Sequence, residues 1–170
     1  MSATAPSGDQ ATVSVLVKVP PELAFRIFTE DIDRWWRSGL RYRIGKRRSV
    51  VHLEAKLGGR LFETFETAAG TKLKETGVVT CFEPPSRLVL EWRAVNFAPD
   101  EKTEVEVQFE PSRSGTRVTV CHRGWSRIRA DHPVRHGHGA REFLRTMGLW
   151  WSDLMTALRE HAEPENSTNG

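Results

Sequence analysis

The residues of this chain whose types could do chemistry are its six histidines, two cysteines, six tryptophans and a run of arginines. His122 closes the run Thr116–His122 (TRVTVCH), in which Val118, Val120 and His122 alternate with Arg117, Thr119 and Cys121. A strand turns alternate side chains to one face, so His122 is expected on the apolar, inward face at the end of its strand. An imidazole there could orient a ligand hydroxyl or carbonyl, or act as an acid or base near neutral pH. The plainer role, a core histidine bonded to backbone, stands somewhat ahead. No Asp or Glu can be assigned beside it, since Glu91 has the parity opposite Trp92 and is expected to face solvent.

His132, His136 and His138 lie close together, but a metal needs fixed imidazoles with supporting hydrogen bonds. Pro133, Gly137 and Gly139 make that stretch a loop, so a solvated loop is expected and no metal. Arg41, Arg43, Lys46, Arg47 and Arg48, with Tyr42 between, form the strongest basic cluster. Nucleic-acid binding would want a wider basic face with more exposed aromatics. The cluster reads first as a solvated edge and second as a site for an anionic ligand or an acidic partner surface. The net charge of +3 and pI near 9.1 do not alter this, because 22 acidic residues are spread along the chain. Cys81 and Cys121 sit inside strand-like runs and are read as two buried free thiols. Trp35, Trp36, Trp92, Trp125, Trp150 and Trp151 fill core for the most part, with a minority at the mouth of a cavity. Buried indoles also bring N–H groups that need partners. Phosphate-binding glycine loops, nucleophile elbows and zinc-protease helices are missing from the sequence.

The elements that must position these residues follow from periodicity. Phe143, Leu144, Met147, Trp150, Trp151, Leu154 and Leu158 recur at three and four, one stripe of a helix over Gly139–His161. Such a rod, about 33 Å long, needs a broad apolar surface to lie on. Val13–Val19 reads as a strand ended by Pro20 and Pro21. A short helix with Leu23, Phe25, Ile27 and Phe28 and a second turn with Ile32, Trp35 and Trp36 follow. Six more strand-like runs come next. In the later ones Val105, Val107 and Phe109 share one face, as do Leu88, Leu90 and Trp92. Period two with one apolar face means an antiparallel sheet covered on one side. Gly77 is read as a bulge in a long strand, and Gly124–His138 as a polar connection that could act as a mobile lid. Residues 1–11 and 163–170 are expected to be disordered tails around one domain over 12–162.

In order and spacing, the chain resembles the START-like (SRPBCC) superfamily, and within it the bacterial proteins related to the C-terminal domain of the activator of Hsp90 ATPase. The pieces are VPPELAFRIFTEDIDRWW (Val19–Trp36), LGGRLFE (Leu57–Glu63), GVVTCFEPPSRLVLEW (Gly77–Trp92), TEVEVQFE (Thr103–Glu110), GTRVTVCHRGW (Gly115–Trp125) and WWSDLMTALREH (Trp150–His161). The resemblance spans roughly Val13–His161. It implies an α+β helix-grip fold: a curved seven-stranded antiparallel sheet wrapped on a long C-terminal helix, with two short helices after the first strand and a cavity between. Members bind or act on hydrophobic small molecules or serve as protein-binding modules. The eukaryotic co-chaperone carries a further N-terminal domain that this sequence lacks, which counts against stimulation of Hsp90.

The expected function is binding of a hydrophobic small molecule between the sheet and the N-terminal half of the long helix. The expected ligand-binding residues are Trp36, Trp92, His122, Trp125, Phe143, Met147 and Trp150. A polyketide cyclase-like enzyme and a chaperone-associated interaction module are the alternatives, and no catalytic residue is assigned. The expected partners are the hydrophobic ligand and, as an alternative, a protein. No cofactor, nucleic acid or membrane insertion is expected, and the protein is read as a cytoplasmic monomer or weak dimer.

Overall fold

Alternating valines open the chain as strand β1 (Gln10–Val17), and Pro20 and Pro21 stop it. Pro21 then begins α1 (Pro21–Glu30), where its missing N–H costs nothing. The rest of the order is α2 (Ile32–Trp35), β2 (Arg47–Leu53), β3 (Arg60–Thr67), β4 (Gly70–Glu83), β5 (Arg87–Trp92), β6 (Thr103–Ser112), β7 (Gly115–Arg123) and α3 (Ala140–Ala162). The computed structural model describes residues 9–94, 96–129 and 131–163. β1 begins at Gln10, so Gln10 and Ala11 belong to the sheet rather than to the expected tail; Ala11 is buried opposite His122. Residues 1–8 and 164–170 lie outside the described residues.

The seven strands form one antiparallel sheet in the order β1-β7-β6-β5-β4-β3-β2. Strands β2 to β7 run as a meander, whereas β1 pairs with the last strand. Helices α1 and α2 therefore carry the chain from one edge of the sheet to the other. Two irregularities in β4 sharpen the curl: Thr76 is left over where Leu61 faces Gly77 and Phe62 faces Glu75, and Thr80 where Val79 faces Leu90 and Cys81 faces Val89. Bulges increase local twist and bend the strand. The expected bulge at Gly77 is thus displaced by one residue to Thr76. Gly77 has a different task, because a Cβ there would stand 2.6 Å from the Glu91 carbonyl oxygen of the neighbouring strand.

The result is the α+β helix-grip arrangement, a curled sheet around a C-terminal helix. Its core is unevenly filled. The C-terminal half of α3 buries Trp151, Leu154, Met155, Leu158 and Ala162 beside β1 and α2. Phe25 and Phe28 of α1 reach the ring of Phe109 on β6 at 5.0 and 5.7 Å. In the N-terminal half of α3 only Phe143 is fully buried, and Leu144, Met147 and Trp150 are partly exposed. A second, smaller cluster of Trp125, Ile128 and Phe143 forms there. Cys81 and Cys121 are free thiols, half-buried rather than buried, on β4 and β7 with β5 and β6 between them. No helix among the described residues is long and apolar enough to cross a membrane.

Candidate functional site

His122 takes the inward parity its sequence pattern requires and is 0% exposed. Its partners are side chains rather than backbone. The Trp151 indole N–H reaches Nδ1 at 3.1 Å, and Nε2 lies 2.7 Å from the Thr103 hydroxyl. An indole can only donate, so Nδ1 is the acceptor and the proton of the neutral ring sits on Nε2, donated to Thr103. Thr103 in turn faces the Trp92 carbonyl at 3.4 Å. Burial with no charged partner pushes the pKa of His122 down to about 3. Both ring nitrogens are thus committed to partners within the protein, and burial favours the neutral ring.

The segment that follows α2 is a wall of the site. Trp36 donates its indole N–H to the Tyr42 carbonyl at 3.0 Å. Three bonds staple the segment to α3: Arg37 Nε to the Asp153 carbonyl (2.8 Å), the Tyr42 hydroxyl to the Asp153 carboxylate (2.9 Å), and Trp150 Nε1 to the Arg41 carbonyl (2.9 Å). Burial, then the bond to Asp153, raises the Tyr42 phenol pKa. Arg43, expected within a solvated basic edge, is only 9% exposed. Its guanidinium bonds Asp33 Oδ1 at 2.6 Å and the carbonyls of Asp33, Trp36, Arg37 and Ser49. That makes five bonds for five N–H groups, so Arg43 is a structural hub, while Arg41, Lys46, Arg47 and Arg48 are exposed as expected.

The connection from β7 to α3 is folded rather than an open lid. Its two 3₁₀ turns are Trp125–Arg127 and Pro133–Arg135. His132, read as part of a solvated loop, is 1% exposed, and its Nδ1 accepts the Val134 N–H at 3.1 Å. Arg135 is buried too, donating to the carbonyls of Trp125, Ile128 and Arg129 and lying 5.2 Å from the Phe143 ring centre. Among the described residues no group of three or more His, Cys, Asp or Glu side chains could hold a metal ion.

Between these walls lies a cavity of about 620 Å³. Sheet residues from β2 to β5, the segment 36–44, the β7–α3 connection and the N-terminal half of α3 enclose it. Six of the seven expected residues line it: Trp36, Trp92, Trp125, Phe143, Met147 and Trp150. His122 does not; it lies behind, with its ring 5.6 Å from that of Trp92 and 4.6 Å from that of Trp125. Trp36, Trp92 and Trp150 meet at centroid separations of 5.8–6.3 Å, edge-on or stacked. Sequence reasoning missed Arg43, Tyr42 and Glu63 in the wall. Glu63 could have been found by its parity with Leu61, but Phe62 gives the same strand a second apolar register.

The model of the family described as Activator of Hsp90 ATPase homolog 1-like protein matches residues 18–148. No curated protein matches the sequence. Among solved structures, a Nitrosomonas europaea protein superposes with a TM-score of 0.63 at 18% identity, covering 96% of this chain and 99% of that one. A Mesorhizobium loti protein gives 0.63 at 17%, over 92% and 98% of the two chains. The Aha1 dimer of Colwellia psychrerythraea gives 0.61 at 17%, again over 92% and 98%. At these identities the structures speak for the fold, while the family match runs from just after β1 into α3 and takes in the lining of the cavity apart from Trp150. The chain therefore belongs to the family of activator of Hsp90 ATPase homolog 1-like proteins.

Proposed function

We propose that the protein binds a hydrophobic small molecule in this cavity, in contact with Trp36, Trp92, Trp125, Phe143, Met147 and Trp150. One observation carries the reading. About 620 Å³ stays open beside a densely packed aromatic core. Protein interiors leave few voids larger than a water molecule, and small-molecule sites run from about 300 to 1,000 Å³. The space is propped open, because the segment 36–44 is stapled to α3 and Trp125 is held by the buried Arg135. The fold family commonly binds hydrophobic ligands, which supports the same reading. His122 contributes by fixing Trp151 and Thr103 behind the wall rather than by touching ligand. The protein acts in this way as a cytoplasmic monomer or weak dimer.

The test uses N-phenyl-1-naphthylamine, an uncharged fluorescent probe, with native protein and Met147→Trp. Met147 lines the cavity from α3, and an indole in its place would occupy the space. Affinity for the probe should fall at least about tenfold, or about 1.4 kcal/mol, while the thermal midpoint stays within a few degrees. Unchanged affinity in a folded variant would put the binding site elsewhere.

A further inference from the structure

Of the two buried charges in the lining, Arg43 is paired with Asp33 and the other has no ionic partner. Glu63 on β3 is 5% exposed and is the acidic residue among the described side chains of the cavity wall. Its Oε1 accepts the Ile44 N–H at 2.9 Å and its Oε2 the Gly45 N–H at 2.7 Å. No Lys, Arg or His nitrogen among the described residues forms a salt bridge with it. Arg43, the buried cation of the same wall, already has all five N–H groups committed. Each carboxylate oxygen can accept two hydrogen bonds. One position on each oxygen of Glu63 therefore remains for a donor.

The local fold is built to bring that carboxylate to this place. A Cβ on Gly45 would fall 2.1 Å from the Phe65 Cβ, so only glycine lets the segment press onto β3 and offer its N–H groups to Glu63. Leu61 and Glu63 share the face of β3 that lines the cavity, with Thr76 of β4 also in the wall. Placing a carboxylate in an apolar wall is costly unless it is hydrogen-bonded, and an added donor from a guest satisfies it further.

We propose that Glu63 is the polar anchor of the cavity, and that the ligand is a hydrophobic ring compound bearing a hydroxyl that donates to the Glu63 carboxylate. The proposal rests on the cavity-binding reading above. A hydroxyl is favoured over an ammonium by the rest of the lining, where Arg41, Arg43 and Arg93 oppose the entry of a cation. The indoles of Trp36, Trp92 and Trp150 supply the apolar surface for the ring, and Glu63 fixes which end goes inward.

The experiment is isothermal titration calorimetry with 1-naphthol, 1-methylnaphthalene and 1-methoxynaphthalene. The methyl compound matches naphthol in shape without polarity, and the methoxy compound keeps an acceptor but loses the donor. A hydrogen bond to a charged group predicts that native protein holds naphthol about tenfold to a hundredfold more tightly than either. Glu63→Gln, checked for fold by circular dichroism, should lose most of that preference while still binding 1-methylnaphthalene. Equal binding of all three by native protein overturns the anchor and leaves the cavity reading standing. Failure of all three to bind, together with failure of N-phenyl-1-naphthylamine, overturns both. A preference for naphthol kept undiminished in folded Glu63→Gln moves the anchor to another residue. Should that variant not fold, the comparison among the three compounds on native protein decides alone.

Discussion

Acid should destabilise this protein through one residue in particular. His122 is neutral in the folded state, with a pKa pushed down to about 3 by complete burial. In the unfolded chain it titrates near 6.5. Below about pH 6.5 the unfolded chain takes up a proton that the folded protein refuses until about pH 3. The contribution is thus fully present above pH 6.5 and is lost progressively as pH falls from 6.5 to 3. Between pH 7 and pH 5 the loss is roughly 2 kcal/mol, from 1.36 kcal/mol per unit over the 1.5 units below 6.5. The perturbation that isolates it is His122→Gln. The side-chain amide can accept from Trp151 and donate to Thr103, as the imidazole does, but does not titrate. Urea unfolding at pH 7, 6 and 5 gives the free energy of each protein. Every other group is common to the two proteins and cancels in the difference. Native protein should lose about 2 kcal/mol more than the variant between pH 7 and pH 5, even though the variant is the less stable at pH 7. Identical pH dependence in the two would mean that His122 is protonated in the folded state and that the assigned tautomer is wrong.

Two further outcomes follow from the packing. Leu154 is 0% exposed in the half of α3 that carries the core, so Leu154→Ala should cost about 2–5 kcal/mol in denaturant unfolding, and a change within error would show that α3 is not seated as described. Arg43→Lys keeps the charge beside Asp33 but has three donors for five acceptors; with each of the two abandoned buried groups costing about 1–3 kcal/mol, a loss of roughly 2–6 kcal/mol is expected by the same measurement, and a loss below 0.5 kcal/mol would remove Arg43 as the hub of the wall.

Much of this protein is written locally in its chain. The alternation of Val105, Val107 and Phe109, and of Val118, Val120 and His122, determines which way each side chain faces, because a strand has a period of two whatever it pairs with. The three-four spacing from Phe143 to Leu158 likewise determines a helix with one apolar stripe. Those two periods, with the order of elements and the family motifs, were enough to place six of the seven expected residues around one cavity. The stripe was nevertheless incomplete, since Met155 and Ala162 are also buried and Leu144 is not fully so. What a helix face buries depends on the surface opposite it. The roles of particular polar groups were decided by tertiary structure alone. His122 meets Thr103 and Trp151 from 19 and 29 residues away, and no spacing along the chain announces either bond. Arg43 and Arg41 stand two residues apart in one basic run, yet one is buried in carbonyls and the other exposed. The difference comes from α2 turning its free carbonyls toward Arg43. The cavity itself is the space left where β3, the segment after α2 and the start of α3 fail to close on one another, and a space between distant segments has no local signature in a sequence.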